Sequence, residues 1–512
     1  MIGRILRAMW RSGLLRFSPI DFVRSLFVWF RCGSSYAALA GIAAIRFPNR
    51  VALHDDEGTL TFAELAARAD ALALALLREN GLRAGQQAAL LCRNHRGFVT
   101  GLLALSRLGV DTLALGTESP AASLKRVLDR QRQSFVLHDA EFTPLLEQSA
   151  PGLARRCVEP LPTALDGKIP RPPRAAQIVV LTSGSTGISK GIRRRTSLRI
   201  VLPALSGLLE GLPIEMHRPA VLAIPLNHGY GLTALAMSLA LAAPLHVGRR
   251  YEIGPLLARL PENAGPVLIT VPTLLQRWLK DSPKPIPLAA VISGSAPLDT
   301  SLCVKALDAL GPVLFNLYGS TEAGLIAMAN PPALRAAPGS VGQPLPGTEV
   351  RLVDANGAEV RAGQLGRVRV RGPLVLGGGD DGWFDTGDLG RLDDGGRLFV
   401  CGRADSMFIS GGENVYPEET EGPLQQHPAI ADAAVTVVPD AEFGHRMIAF
   451  VVVRAGDSLD AETLRAWLRE RLERFKLPRE IIFVMQIPRN TLGKIDRKAL
   501  AELPTQPTTR AS

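Results

Sequence analysis

The sequence predicts an α/β fold with a large N-terminal domain of parallel sheets, a β-rich subdomain and a small α+β C-terminal domain. Before about residue 340, apolar runs such as Ala88–Cys92 alternate with helical stretches such as Phe98–Leu108, which is typical of parallel strands and crossover helices. Later runs such as Arg367–Arg371 alternate polar and apolar side chains, as antiparallel strands with one solvated face do. After Arg403, strand and helix patterns mix over about 100 residues, enough for a separate domain.

Residues 1–50 form a basic amphipathic segment that carries most of the net charge. They hold eight arginines and one acid, Asp21, which amounts to +7 of the +10 charge of all 512 residues. Because the remainder is nearly neutral, the charge does not indicate a nucleic-acid-binding surface. Apolar residues recur at helical spacing from Ile2 to Trp10, and Ser18–Pro19 has the form of an N-cap followed by proline at the first helical position. Helices rich in arginine and aromatic residues are typical of a membrane surface.

Other interpretations of this segment remain open. The helices would also be explained by packing on the protein's own body, and an arginine-rich, acid-poor start is typical of a presequence. The stretch Leu26–Ile45 approaches the length of a membrane span, but Arg31 and the Gly33–Ser35 break argue against insertion. Five scattered cysteines without paired spacing indicate a reducing compartment. We therefore expect a cytoplasmic protein, attached peripherally to the inner face of a membrane through residues 1–50.

The body of the chain begins at Val51 and continues the strand–helix alternation. Thr61–Glu64 fits a capping box that opens a long helix over Leu65–Leu77. The alternation predicts a mostly parallel sheet with helices on both faces. The tail 504–512 contains threonine and proline and is expected to be disordered.

A loop rich in serine, threonine and glycine follows the apolar run Ile178–Leu181, which we interpret as a buried strand. Glycine lets backbone N–H groups approach an anion, while hydroxyls and a lysine add donors and positive charge. The spacing is not that of a Walker A loop, and the composition alone leaves a flexible surface loop equally open. The candidate phosphate-binding residues are Thr182, Ser183, Gly184, Ser185, Thr186, Gly187 and Lys190.

Four further motifs follow in order. They are Phe315–Gly324, Trp383–Asp388 with its continuation Gly402–Asp405, Ser410–Pro417, and Pro488–Arg497. Each motif alone is compatible with a turn or a solvated charge cluster. Together with the loop, over about residues 51–503, they closely resemble the adenylate-forming superfamily, which includes acyl- and aryl-CoA synthetases, peptide-synthetase adenylation domains and luciferases. Within it the chain resembles fatty-acyl-CoA synthetases and other AMP-binding acyl-CoA ligases.

The resemblance implies a reaction in two steps, with ATP, Mg²⁺ and CoA as cofactors. A carboxylate first attacks the α-phosphorus of ATP, giving acyl-AMP and pyrophosphate. A thiol, usually that of CoA, then displaces AMP. The resemblance also implies a division into a large domain over 51–402, a hinge over 403–405 and a mobile lid over 406–503.

The same resemblance assigns four catalytic residues. Thr321 would contact the α-phosphate, and Glu322 would be the metal ligand, since Mg²⁺ prefers carboxylate and phosphate oxygens. Lys494, delivered by the lid, would bridge the substrate carboxylate and the phosphate. His228 lies in a Pro-Leu-x-His element that would gate the acid, although a structural histidine remains an alternative.

The nucleotide would be held by residues of two motifs. Tyr318 would stack on adenine, Asn316 would bind its amino edge, and Gly319 would adjoin them. Asp388 would accept hydrogen bonds from the ribose hydroxyls, with Arg403 alongside. The phosphate loop would hold the β- and γ-phosphates, so that Lys190 becomes a supporting charge.

The lid and the acid site are assigned in the same way. Asp405 matches the hinge, and Gly411 and Gly412 match the glycines that let the pantetheine arm of CoA pass. Glycines beside the acid indicate open volume for an apolar chain. The predicted acyl-pocket residues are Tyr230, Leu232, Gly294, Ser320, Ala323 and Gly324.

Two departures from the family pattern concern the fine structure rather than the chemistry. Ser189 stands where proline usually precedes the lysine of the loop, and Gly366–Arg367 stands where Gly-Glu is usual. No aspartate follows His228 where amino-acid-activating members place one, which argues against the peptide-synthetase function.

The sequence therefore predicts ATP-dependent activation of a medium- or long-chain fatty acid and its transfer to CoA. One alternative is an acyl-AMP or aryl-acid ligase that loads the thiol of a carrier protein. Another is a catalytically silent adenylate-binding scaffold, against which the presence of both Glu322 and Lys494 argues.

Overall fold

The computed structural model describes residues 2–503 apart from 164, 183–189, 195–206, 282–286, 376–378, 380, 407, 411–412, 441–442 and 491–492. Three helices open the chain: α1 (Ile2–Arg11), α2 (Pro19–Cys32) and α3 (Tyr36–Arg46). The Ser18 hydroxyl accepts a hydrogen bond from the Asp21 N–H at 3.1 Å, so the predicted N-cap of α2 is confirmed. Among the described residues, no helix combines the length and apolar content needed to cross a bilayer.

The first half of the large domain alternates strands and helices as the sequence predicts. Its elements are β1 (Val51–Asp55), β2 (Gly58–Thr61), α4 (Phe62–Glu79), β3 (Gln87–Leu91), α5 (Arg96–Leu108), β4 (Asp111–Ala114), α6 (Ala121–Arg130), β5 (Phe135–His138), α7 (Thr143–Ser149), β6 (Ala154–Cys157), β7 (Ile178–Thr182) and β8 (Lys190–Arg194). The capping box at the start of α4 is confirmed, because the Thr61 hydroxyl accepts from the Glu64 N–H and the Glu64 carboxylate from the Thr61 N–H.

The second half continues the alternation to residue 344. Its elements are β9 (Ala220–Leu222), α8 (Gly229–Ala240), β10 (Leu245–His246), α9 (Ile253–Leu257), β11 (Val267–Thr270), α10 (Pro272–Asp281), β12 (Ala290–Ser293), α11 (Thr300–Leu310), β13 (Leu314–Ser320), β14 (Gly324–Ala329), α12 (Pro331–Ala336) and β15 (Gln343–Pro344).

These strands form two mostly parallel sheets. One has six strands in the order β6-β5-β3-β4-β7-β8, and the other has nine in the order β15-β14-β13-β12-β11-β9-β10-β1-β2. The edge pairs β7–β8, β1–β2, β13–β14 and β14–β15 are antiparallel. Every residue of α5 is buried, and the helix belongs to an apolar core to which both sheets contribute. A helix that is buried on all sides ties the two sheets into one domain.

The rest of the chain folds as a β-rich subdomain and a small α+β domain. The subdomain is an antiparallel sheet of β16 (Glu349–Val353), β17 (Gly366–Arg371), β18 (Phe384–Leu392) and β19 (Leu398–Arg403). The small domain has β20 (Phe408–Ser410), β21 (Glu413–Val415), α13 (Pro417–Gln426), β22 (Ile430–Asp440), β23 (Gly444–Val453), α14 (Ala461–Arg469), β24 (Glu480–Phe483) and α15 (Arg497–Ala501), and cores of its own. The predicted fold class is confirmed.

Asn94, between β3 and α5, links the two large sheets. Its side chain is 2% exposed; Nδ2 donates to the Ile224 carbonyl at 2.7 Å, and Oδ1 accepts from the Leu226 N–H at 2.7 Å. The segment Ile224–Leu226, which Asn94 contacts, follows β9 and leads directly to His228. One amide side chain therefore fixes both polar groups of a strand end that would otherwise be buried without partners.

We expect Asn94→Ala to lower the free energy of unfolding of the large domain by about 3 kcal/mol, because it leaves a buried carbonyl and a buried N–H unsatisfied. Urea denaturation measures the loss. Asn356→Ala, at an exposed turn, is the matched control and should stay within about 0.5 kcal/mol of the parent. Equal stability of the two variants would contradict the role given to Asn94.

Candidate active site

Asp388 on β18 is the centre of a cluster that joins three motifs. Its Oδ2 accepts a hydrogen bond from the Tyr318 hydroxyl at 2.5 Å, and its Oδ1 accepts from Arg403 Nη1 at 3.2 Å. Burial raises the pKa of the Asp388 carboxyl, and the bonds from Tyr318 and Arg403 oppose that shift. Burial and the Asp388 charge likewise raise the pKa of the Tyr318 phenol. The predicted nucleotide-binding trio therefore lies together in the structure.

Gly387 makes room for the guanidinium of Arg403. It has φ +74°, and a Cβ there would lie 2.8 Å from Arg403 Nη2. Arg403 also donates to the Thr386 carbonyl at 3.0 Å, so the guanidinium is held by two neighbours of this glycine. Only glycine suits both the left-handed backbone and the close approach.

Asn316 lies on β13, two residues before Tyr318, and is 3% exposed. Its Nδ2 donates to the Ser340 carbonyl at 3.2 Å. The amide therefore links β13 to the strand connection before β15, and its contact with adenine stays a prediction.

Lys494 of the small domain reaches the same cluster. Burial lowers the pKa of its ammonium; the Asp388 carboxylate opposes this shift, Arg403 adds to it and Glu322 opposes it. Lys494 therefore lies within the electrostatic reach of the predicted nucleotide site, although about a hundred residues of chain separate it from Asp388.

A tight turn positions Lys494 against the large domain. Gly493 has φ +72°, and a Cβ there would lie 2.0 Å from Thr273 Oγ1 on α10. Within the turn, Asn490 Oδ1 accepts from the Lys494 N–H at 3.0 Å and Arg489 Nη1 donates to the Gly493 carbonyl at 2.8 Å. The glycine therefore permits a contact between the domains that any side chain would block.

His228 precedes the first residue of α8 and makes no side-chain capping bond there. Burial lowers the pKa of its imidazole to about 4, and the Lys494 charge adds to the shift. His228 is therefore neutral at physiological pH and lies within the electrostatic reach of Lys494. This placement is consistent with a polar gate between the acid and the nucleotide, and the role stays a prediction.

Thr321 and Glu322 lie in the turn between β13 and β14. The turn is tight: a Cβ at Gly319 would lie only 2.2 Å from the Gly324 carbonyl oxygen, and the Ser320 hydroxyl accepts a hydrogen bond from the Ala323 N–H at 3.0 Å.

Glu322 belongs to neither of the clusters of three or more potential metal ligands found within the described chain. Those clusters are Cys92, His95 and Asp139, and Asp55, Glu57 and His95. One carboxylate suits Mg²⁺, which keeps several waters and takes phosphate oxygens.

The predicted phosphate loop lies for the most part outside the described residues, which include neither Ser183, Gly184, Ser185, Thr186 and Gly187 nor the lid glycines Gly411 and Gly412. The flanking strands are described: Thr182 at the end of β7 pairs with Lys190 at the start of β8. The antiparallel pair therefore brings both ends of the loop together, and the phosphate contacts stay predictions.

The predicted hinge follows β19 directly. Asp405 lies in a short 3₁₀ helix, Ala404–Ser406. The Ser406 hydroxyl donates to the Arg403 carbonyl at 2.7 Å and lies 3.2 Å from Glu418 Oε1 on α13. A Cβ at Gly402 would lie 2.8 Å from Glu418 Oε2. The first helix of the small domain therefore packs closely on the strand end that precedes the hinge.

An apolar cavity of about 70 Å³ lies between α8 and the nine-stranded sheet. Tyr230 lines its inner end, where the hydroxyl donates to the Ile292 carbonyl at 3.0 Å. Gly294 adjoins this ring, since a Cβ there would lie 3.5 Å from Tyr230 Cε1. The two predicted pocket residues that border the cavity are therefore Tyr230 and Gly294.

Four other predicted pocket residues do not line this cavity. Leu232 is on the opposite side of α8, where its carbonyl accepts from Tyr36 of α3 at 3.0 Å. Ala323 is buried in the core of the β-rich subdomain, and Gly324 faces Leu374. Ser320 caps the turn before Ala323. Their contact with the acid stays a prediction.

Sequence reasoning missed most of the cavity lining. The side chains of α8 that face the cavity recur at helical spacing: Tyr230, Thr233, Ala234, Met237 and Ser238, followed by Leu241 just after the helix. This period of three and four residues was visible in the sequence and indicates which side of α8 lines the cavity. The contact between Thr273 and Gly493 had no sequence signal, because it depends on how the two domains dock.

The chain matches two family models. Residues 42–378 match the AMP-binding enzyme model, and residues 419–494 match that of the AMP-binding enzyme C-terminal domain. The 2-succinylbenzoate–CoA ligase of Bacillus licheniformis is 30% identical over 88% of this chain and 97% of its own length. A feruloyl-CoA synthase of an Amycolatopsis species is 30% identical over 88% and 94%. The solved o-succinylbenzoate CoA synthetase of Bacillus subtilis, in complex with its acyl-adenylate intermediate, has a TM-score of 0.80 and 28% identity, covering 91% of this chain and 98% of that one.

The fold and the site define an adenylate-forming enzyme. The chain belongs to the AMP-binding enzyme family. The predicted superfamily is thereby confirmed, and so is the predicted enzyme class, an AMP-forming acid–thiol ligase, since the relatives are named as CoA ligases.

We expect Asp388→Asn to raise the KM for ATP about 10- to 100-fold, because it removes the charge that pairs with Arg403 and attracts Lys494. ATP–pyrophosphate exchange measures this constant. Glu349→Gln on β16 is the control: Glu349 pairs with Arg371 at 2.6 Å, both side chains are exposed, and the change should alter KM less than about twofold. A similar KM for ATP in the parent, in Asp388→Asn and in the control variant would show that Asp388 does not bind the nucleotide.

Proposed function

We propose that the protein activates a medium- or long-chain fatty acid to acyl-AMP with ATP and Mg²⁺ and transfers the acyl group to CoA. The apolar lining of the cavity beside His228 and Tyr230 is the observation that carries the choice of acid. As part of the proposal, residues 51–402 form the adenylating domain, 403–405 the hinge and 406–503 the lid.

The donor set of the cluster supports nucleotide binding. Asp388 offers carboxylate oxygens to ribose hydroxyls, while Arg403 and Lys494 offer positive charge to phosphate oxygens. A carboxylate substrate is already ionised, so the enzyme mainly has to hold two anions together and neutralise the charge that develops. In this proposal Lys494 would contact both anions, and Mg²⁺ at Glu322 would supply further neutralisation when bound.

The cavity supports an acid with an aliphatic tail. Leucine, isoleucine, valine, alanine and methionine side chains dominate its lining, and its charged members, Glu215 and Arg218, form an ion pair with each other. Its volume of about 70 Å³ corresponds to roughly two water volumes, so a longer chain requires side chains to move. Met237 and the leucines are well suited to such movement, since methionine adapts to irregular space.

A second candidate substrate is an acid with a distal anionic group. Among the described side chains, Arg218 Nε is buried without a hydrogen-bond partner, and Arg218 lines the cavity. Guanidinium groups recognise carboxylates, and relatives of this chain are named for 2-succinylbenzoate and malonate. If the substrate is an acid with a distal anionic group, Arg218→Met should abolish activity on dicarboxylic acids. If the substrate is a fatty acid, the same change should leave activity on fatty acids unchanged.

CoA is the proposed acceptor, with a carrier-protein thiol as the alternative. The CoA ligases among the relatives match at least 88% of this chain, which favours the same second step. We further propose a cytoplasmic enzyme that is peripherally attached to a membrane through residues 1–50.

Pyrophosphate release over acids of graded length, with and without CoA, tests the proposal. We expect the highest kcat/KM for aliphatic acids of medium or long chain, with acyl-CoA formed only when CoA is present. Preference for aryl acids over all fatty acids would overturn the substrate assignment. Release of acyl-AMP without dependence on CoA would favour loading of a carrier protein, and adenylation of no acid at all would favour the scaffold.

We expect Ala234→Leu to reduce kcat/KM for the longest accepted acid about tenfold relative to short acids, because three added carbons fill part of the cavity. Ala258→Leu, at an exposed position, is the matched control and should leave the length preference unchanged. The same length profile in Ala234→Leu and the parent would show that the acid does not bind in this cavity.

A further inference from the structure

Exposed apolar side chains are concentrated in the first two helices. Of twelve large apolar side chains that are exposed in the described chain, eight lie between residues 6 and 30. On α1 they include Leu6 and Trp10. On α2 a stripe at helical spacing consists of Ile20, Val23, Phe27 and Phe30, each 60–66% exposed. We call these outer faces of α1 and α2 the N-terminal surface.

The inner face of α2 is already used for packing. Cys32 and Ser25 are buried, and Val28 and Trp29 pack with Cys32 against α3. Val28 approaches so closely that a Cβ at Gly41 would lie 3.0 Å from it. A helix that is apolar on both faces requires cover on both. Within the described residues α3 covers one face, and the stripe on the other face is solvent-exposed.

The charges beside the stripe favour an anionic partner. Arg7, Arg11, Arg16 and Arg24 are exposed on or between the two helices, and Asp21 is the single acid in the first fifty residues. The Asp21 carboxylate is engaged by the Ser18 hydroxyl at 2.7 Å. Aromatic and aliphatic side chains flanked by arginines match the chemistry of an anionic lipid surface, with apolar groups among the acyl chains and guanidinium groups at the phosphates.

The N-terminal surface is continuous with the acyl cavity. The inner face of α1 packs through Ala8 and Met9 against Leu241, Ala243 and Met237, three residues that also line the cavity. The Ser12 carbonyl accepts a hydrogen bond from the Met216 N–H at 3.0 Å, which fixes the end of α1 to this wall. Helix α1 therefore packs directly on side chains that form the wall of the cavity.

We propose that the N-terminal surface docks on an anionic lipid bilayer and thereby brings the cavity wall that contacts α1 close to the membrane, so that a fatty acid is taken from the lipid phase. This deepens the proposed function, on which both the peripheral attachment and the choice of a fatty acid rest. The partner is a lipid surface rather than a second copy of the chain or another protein, because both the apolar stripe and the surrounding arginines are then accommodated.

Co-sedimentation of the full-length protein with vesicles tests the docking. We expect binding to phosphatidylcholine vesicles that contain phosphatidylglycerol and much weaker binding to phosphatidylcholine alone. The triple variant Arg7→Gln/Arg11→Gln/Arg24→Gln should lose about a hundredfold in affinity for the anionic vesicles, since each arginine near the surface contributes about 1 kcal/mol. Val23→Ser/Phe27→Ser should weaken binding to both kinds of vesicle.

Val304→Ser/Leu365→Ser is the matched control, because it removes two exposed apolar side chains outside the N-terminal surface and should bind as the parent does. The thermal unfolding midpoint of each variant verifies folding. Absence of binding to anionic vesicles by a folded parent protein would overturn the proposal. So would a dimer in sedimentation velocity that Val23→Ser/Phe27→Ser dissociates while vesicle binding is unaffected.

Activity then tests the link to the cavity. With a long-chain acid supplied in anionic vesicles, we expect the parent to turn over about tenfold faster than Val23→Ser/Phe27→Ser, with equal kcat/KM for a short, water-soluble acid. Equal rates on the vesicle-borne acid would contradict uptake from the membrane. If no aliphatic acid is activated but vesicle binding follows the arginines, the proposed substrate fails and the docking stands.

Discussion

The ion-pair and hydrogen-bond cluster around Asp388 is the interaction on which the site depends. It joins Tyr318 from the nine-stranded sheet, Arg403 from the end of the β-rich subdomain, and the charge of Lys494 from the small domain. A half-buried carboxylate is tolerated because two donors contact it, and its charge in turn attracts the neighbouring cations. The three structural parts of the chain therefore meet at one carboxylate, and movement of any part changes the charge balance of the site.

The position of Lys494 depends on backbone shape as much as on charge. Gly493 lies against Thr273 with no room for a side chain, and Asn490 and Arg489 hold the turn from inside the small domain. The hinge end of the same domain packs through Glu418 against Gly402. These two contacts, one at each end of the small domain, have to separate and re-form if the domain rotates between the two half-reactions. Both involve glycine, because in each contact a side chain lies where a Cβ would be.

The sequence predicted what depends on local pattern. The capping box at Thr61, the N-cap at Ser18 and the strand–helix alternation were all readable, since each is a property of neighbouring residues. The cavity beside α8 was not predicted as such. Leu232 and Ala323 were named from their place in the motifs and lie outside this cavity, because tertiary packing decides which side of α8 and of the β13–β14 turn faces it. Their contact with the acid stays a prediction. The contacts of Asn94 and Thr273 join segments that are distant in sequence, and no local sequence pattern predicts such contacts.

The tertiary contacts of the first fifty residues were likewise not predictable from local sequence. Their composition predicted amphipathic helices, but only the packing of α1 on the cavity wall shows that this segment and the cavity adjoin. In the proposed function the choice of acid depends on the shape of that cavity and on its charged groups, Arg218 and Glu215.

Separate measurement of the two half-reactions of Lys494→Ala tests the central claim most directly, with Lys305→Ala, at an exposed position, as the control. If Lys494 bridges the acid and the α-phosphate, pyrophosphate release from ATP and acid should fall about 10²- to 10³-fold. Formation of acyl-CoA from supplied acyl-AMP and CoA should be nearly unchanged. An adenylation rate equal to that of Lys305→Ala, or equal losses in both half-reactions, would contradict the account.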